Sequence, residues 1–150
     1  MGKKRRLVQG VGTNDANYKV TITESWRVDG KQKQKELWRC PYYNKWKSLL
    51  QRCYSEKLHK RHQGYKDCTV SEEWLMFSNF REWMVSEESR LGSLEGLELD
   101  KDLLFPDNKH YSKETCIFLH TKINLFIVDN TRGEYLRGVR LDKRRNKFEA

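Results

Sequence analysis

No apolar run in this chain approaches the length of a membrane span, and the basic N-terminus lacks the apolar core and cleavage site of a signal peptide. A soluble, intracellular protein is expected, with the cytoplasm as its compartment. Cysteine is sparse and scattered: Cys40, Cys53, Cys68 and Cys116 form no Cys-x-x-Cys pair, which argues against a zinc ribbon. A reducing compartment disfavours disulfides, so the four thiols read as small apolar packing residues. A structural zinc on Cys53 and Cys68 with His59 or His62 has only unspecific spacing behind it. Acidic charge is also in deficit. Lys and Arg number 30 against 21 Asp and Glu in 150 residues, giving a formal charge of +9 and a pI near 9.4. That balance favours a polyanionic partner, with nucleic acid the default. The length fits one domain, or a core with small appendages.

Residues 1–17 carry Lys3, Lys4, Arg5 and Arg6 followed by Gly10, Gly12, Asn14, Asp15 and Asn17, without periodicity. They read as a mobile basic arm or a loop, able to touch phosphates but equally able to be merely solvated. Tyr18, Val20 and Ile22 alternate as in a strand, and Asp29-Gly30 is a hairpin turn signal, so an N-terminal hairpin follows. Cys40-Pro41 opens a helix, since proline suits a first turn. Tyr43, Trp46, Leu49, Leu50 and Cys53 give it one apolar stripe, leaving Lys45, Lys47 and Arg52 for the other side. Between Tyr54 and Asp67 the polar composition predicts a long loop.

Ser71 with Glu72 and Glu73 marks another helix start. Trp74, Phe77, Phe80, Trp83 and Met84 continue at helical spacing, with Ser78 as a second cap breaking the segment. So many aromatics on one stripe read first as core, although a base-stacking platform has the same composition. Glu87 to Gly96 is a hydrophilic connection.

Residues 97–128 hold a small unit with its own chemistry. Leu97, Leu99 and Leu103 flank Asp100 and Asp102 with a period of two, the pattern of a half-buried strand that delivers a carboxylate to one face. Pro106, Asp107 and Asn108 make a turn. Cys116-Ile117-Phe118-Leu119 suits a second strand, and from His120 onward Ile123, Phe126 and Ile127 recur at helical spacing. The unit reads as strand, loop, strand, helix.

This stretch resembles the ββα core of the HNH, or His-Me finger, nucleases, in particular the small homing-type endonucleases that phages carry. The Tyr-Ser-x-Glu-Thr loop at 111–115 is part of the likeness. So are Cys-Pro-Tyr-Tyr at 40–43, Arg-Cys-Tyr-Ser at 52–55, Glu-Glu-Trp at 72–74 and Phe-Ser-Asn-Phe at 77–80. The resemblance covers about residues 8–128. It implies an α+β fold: a ββα-metal core with flanking helices and an N-terminal hairpin. It divides the chain into a basic arm (1–17), a hairpin and aromatic-rich helical region (18–96), the finger (97–128), and a linker with a partial DNA-binding hairpin (129–150).

Carried over residue by residue, the family's strand Asp matches Asp100 and its helix ligand matches Asn124, while the catalytic His falls at Lys101 and the middle Asn at Thr115. Asp100 and Asn124 are thus the implied metal ligands, for Mg2+ or Mn2+. A hard divalent cation takes oxygen ligands and keeps several waters, so a carboxylate and an amide oxygen suffice while phosphate oxygens complete the shell. A base must still take a proton from water. Lys101 fills that role only if strongly desolvated, and otherwise contacts phosphate; His110 or Tyr111 in the loop, or His120 at the helix start, are the other candidates.

Behind the unit, Tyr135-Leu136-Arg137-Gly138-Val139-Arg140 leads through Asp142, Lys143, Arg144, Arg145 and Asn146 to Lys147-Phe148. This resembles the opening of the plant ethylene-response type DNA-binding domain, whose Arg-Gly-Val-Arg and Lys-Phe strands lie in the major groove. Arg137 and Arg140 then face guanine edges, and Lys143, Arg144 and Arg145 face phosphates. The expectation is a metal-dependent endonuclease, homing or nicking, that hydrolyses phosphodiester bonds in double-stranded DNA as a monomer or weak dimer. If it is phage-encoded, it acts in the host cytoplasm. The alternative is a degenerate finger that binds DNA or a host protein without cutting. A third reading takes RNA as ligand, on the aromatic helices.

Overall fold

A computed structural model describes residues 6–130, 140–142 and 147–149. Strands β1 (Thr21–Val28) and β2 (Lys31–Arg39) lead to helices α1 (Pro41–Tyr54) and α2 (Glu56–His59). After a 3-10 turn at Gln63–Tyr65 come β3 (Thr69–Val70), a second 3-10 turn at Glu72–Leu75 and α3 (Phe77–Leu91). Then follow β4 (Leu97–Asp100), β5 (His110–Tyr111), β6 (Ile117–His120), α4 (Thr121–Asn130), β7 (Arg140–Asp142) and β8 (Lys147–Glu149). The mixture is α+β, as expected. Among the described residues every sheet has two strands: β1-β2, β4-β6 and β7-β8 antiparallel, β3-β5 parallel.

The core forms where α1 meets α3. Pro41 occupies the first turn of α1, where its missing N–H costs nothing. The predicted stripe is buried through Trp46, Leu49, Leu50 and Cys53, and it faces Phe77, Phe80 and Met84 of α3. Trp74, fully buried, accepts a 2.7 Å hydrogen bond on its carbonyl from the Trp46 indole N–H, so the one polar atom of that ring is satisfied. Phe80 meets Trp74 edge-on at 5.1 Å, and Trp83 stacks on Phe118 at 5.3 Å, which ties the helices to β6. Each such pair adds about 0.5–1.5 kcal/mol beyond area burial. The aromatic stripe builds the core.

Three stretches differ from what the sequence leads one to expect. Residues 6–17, expected as an arm or loop, are seated on the core. A tight turn links Val8 to Gly12 by reciprocal 2.8 and 2.9 Å bonds, and Thr13 pairs with Leu75 and Phe77. A Cβ at Gly12 would lie 2.3 Å from Leu50 Cδ1 and 2.8 Å from Trp46 Cζ2, so only glycine fits there. The segment 54–67, expected as a loop, winds into α2 and the first 3-10 turn because the Ser55 hydroxyl accepts the Leu58 N–H, an N-cap. Finally, the segment from Ser71 does break in two, at Met76, but Ser78 does not cap the second helix. Asp15 does so from a distance, accepting both the Ser78 N–H at 2.9 Å and its hydroxyl.

The hairpin turns where expected, at Asp29 and Gly30, whose φ values of 50° and 72° match the twist a two-residue hairpin turn needs. β4 and β6 pair with Asp100 opposite Ile117 and Leu97 opposite His120, and α4 follows β6 without a break. β4, β6 and α4 follow the order read from residues 97–128, and the stretch read as the loop between them holds a further two-residue strand, β5, which pairs with β3. No helix among the described residues is long and apolar enough to cross a membrane.

Candidate functional site

The alternation Leu-Glu-Leu-Asp in β4 turns Leu97 and Leu99 toward the core and puts Glu98 with Asp100 on the other face. α1 fixes this strand from behind: the Lys45 ammonium donates to the Leu97 carbonyl at 2.8 Å and lies over the Phe118 ring. Burial pulls the Lys45 pKa down, against the opposing pull of Glu98.

Asp100 ends the strand, and its Oδ1 accepts the backbone N–H groups of Asp102 at 2.9 Å and Leu103 at 2.7 Å. The carboxylate is thereby fixed by a local turn, and among the described residues its other oxygen has no hydrogen-bond partner. On α4 the Asn124 amide N–H donates to Glu98 at 3.2 Å, which leaves the amide oxygen for another ligand. Asp100 and Asn124 line one cleft of about 430 Å³ together with Lys101, Asp102, Asp107, Asn108 and Lys109. Glu98 was not singled out in the sequence; the signal was its place two residues before Asp100 on the same face.

Lys101 is only 7% exposed. Its ammonium pairs with the Asp102 carboxylate and lies 5.7 Å from the centre of the Tyr111 ring. Tyr111 is buried, and burial pushes its hydroxyl far above the usual range, which removes it as a base near neutral pH.

His110 is exposed and held by its neighbours. Its N–H donates to Asn108 Oδ1, its carbonyl accepts from Asn108 Nδ2 at 2.7 Å and from the Thr115 hydroxyl at 2.8 Å, and its Nδ1 meets Thr69 Oγ1 at 2.9 Å. Asn108, read from sequence only as part of a turn, also donates to the Lys101 carbonyl at 3.1 Å and so stitches the loop to the end of β4. Thr115 holds the loop by accepting the Ser112 N–H as well.

The strand register does not bring His120 to Asp100. It sits opposite Leu97, three pairs away, about 10 Å along the strand. There its Nδ1 accepts the Lys122 N–H at the start of α4. Among the basic residues, Arg6 is exposed beside Tyr43 and Lys47. Arg140 lies in β7, while Lys3, Lys4, Arg5, Arg137, Lys143, Arg144 and Arg145 lie outside the described residues.

The donor set is one carboxylate oxygen and one amide oxygen in a shared cleft, and among the described residues no three His, Cys, Asp or Glu side chains cluster as metal ligands. Such a pair fits a hard cation that keeps most of its waters, and does not fit zinc. Compared with protein-family models, with curated proteins and with solved structures, the chain matches none of them.

Proposed function

We propose that this chain is a metal-dependent endonuclease of the HNH kind, which nicks or cuts double-stranded DNA with Mg2+ or Mn2+ held by Asp100 and Asn124. The observation that supports it most is the shared cleft: both residues line it, and each keeps an oxygen without a hydrogen-bond partner among the described residues. When bound, the cation stabilises charge developing on the phosphate and the leaving oxygen. The residues of the chain do the rest. Glu98 orients Asn124, the Asp102 and Leu103 amides orient Asp100, and Lys109, which lines the cleft with one ammonium N–H donated to the Gly64 carbonyl at 2.8 Å, keeps its remaining donors for a phosphate. His110, next in sequence to Lys109 of the cleft lining, is assigned as the base: in the tautomer that donates Nδ1–H to Thr69 Oγ1, 2.9 Å away, its Nε2 is left to take a proton from water.

One observation favours the second reading, a finger that binds DNA or a host protein without cutting. Lys101 stands at the family's His position and is buried against Asp102 rather than open to water. Conversion of supercoiled plasmid by the purified protein separates the two. The nuclease reading expects nicks or breaks with Mg2+ or Mn2+ that vanish with EDTA, in Asp100→Asn and in Asn124→Ala, and that fall strongly in His110→Ala. Tight binding with no conversion of any DNA, including phage DNA, overturns it in favour of binding alone.

A further inference from the structure

The β1-β2 hairpin stands almost bare: apart from Thr21 at its base and Arg39 at its end, every residue of both strands is exposed. A lone hairpin with solvent on both faces is marginal in water, so its composition matters. The register sorts that composition. Glu24, Trp26 and Val28 lie opposite Lys35, Lys33 and Lys31, which places three lysines on one face, one every second residue. The other face pairs Thr23, Ser25 and Arg27 with Glu36, Gln34 and Gln32. Gln34 reaches across to Thr23 at 3.1 Å, and Glu36 is taken up by Arg39.

We infer that this ribbon is a docking element for duplex DNA, inserted in the major groove with the Arg27, Gln32 and Gln34 face toward base edges and Lys31, Lys33 and Lys35 reaching back to flanking phosphates. The inference rests on the proposed action on DNA and adds the element that grips it. Three features carry it. First, two strands about 4.8 Å apart form a ribbon narrow enough for a groove about 12 Å wide. Second, exposure on both faces is what such insertion requires, since one face meets bases while the other sends long cationic side chains to the groove walls. Third, arginine and glutamine are the residues whose paired donors and acceptors match guanine and adenine edges. The tight Asp29-Gly30 turn makes the leading edge thin.

The test is the salt dependence of binding to short duplex oligonucleotides in EDTA, where no cleavage step intervenes. Replacing Lys31, Lys33 and Lys35 together by alanine removes three exposed cationic side chains and leaves the buried core untouched. The slope of log affinity against log salt concentration should fall by about 0.9 per lost phosphate contact. A matched triple change of the exposed Lys57, Lys60 and Lys66 should alter the slope less. Arg27→Ala with Gln34→Ala should flatten the preference among duplex sequences while leaving the slope in place.

An equal effect of both lysine sets, no change from the ribbon set, or tighter binding to the single strand than to the duplex each overturns the inference. A protein that still cuts plasmid with the ribbon lysines removed and duplex affinity unchanged loses the ribbon role alone. A protein that binds duplex through the ribbon but never cuts keeps the ribbon and loses the nuclease.

Discussion

Glu98 accepts the side-chain N–H of Asn124 at 3.2 Å, joining β4 to α4 across 26 residues of sequence. That bond sets which end of the amide faces away from the strand, and so which atom the proposed cation would meet. Groups that orient a metal ligand commonly change affinity or activity by about 10- to 100-fold when removed. For Glu98→Ala the Mn2+ concentration giving half-maximal plasmid nicking should therefore rise about 10-fold. An unchanged value would show that Asn124 is held by other means.

The seating of residues 8–13 depends on one missing side chain. Gly12→Ala places a methyl against Leu50 and Trp46, both fully buried, with 2.3 Å to the nearer atom. Overpacking of this kind costs about 1–3 kcal/mol. The urea midpoint should fall accordingly with the slope of the transition unchanged.

What was legible in the sequence and what was not divides along the same line. Helix α1, the aromatic stripe of Trp74 to Met84, the Asp29-Gly30 turn and the order of elements in 97–128 could be read because each depends on neighbours within a few residues. The role of Gly12 could not, since its partners Leu50 and Trp46 are met only in the folded chain. Nor could Asp15, which caps α3 from 63 positions away. Thr69 is joined to His110 across a parallel strand pair of the same non-local kind. Within the candidate site, residue type and spacing pointed to Asp100 and Asn124. Excluding Tyr111 and separating His120 from Asp100 needed burial and strand register.

Alkaline pH should weaken the fold through its thiols. Burial pushes Cys53 up from 9.0 to about 12 and Cys116 to about 11. The unfolded chain thus loses these protons first as pH rises, so it binds fewer protons than the native state and stability falls. The contribution is intact below pH 9.0 and is lost progressively as pH rises toward about 12 for Cys53 and about 11 for Cys116. Urea denaturation across this window should show the decline. Cys53→Ala should make it shallower, and an identical pH profile for that variant would contradict the assignment.

The central claim is that Asp100 and Asn124 share one divalent cation. Electron paramagnetic resonance of Mn2+ titrated into the protein measures this directly, because the six-line signal of the free ion disappears on binding. The account predicts one site per chain in the wild-type protein, lost in Asn124→Ala. It is lost also in Asp100→Asn, which keeps the acceptor for the Asp102 and Leu103 amides and so spares the local turn. Equal Mn2+ binding by all three proteins, or none by the wild type with and without DNA, would contradict it.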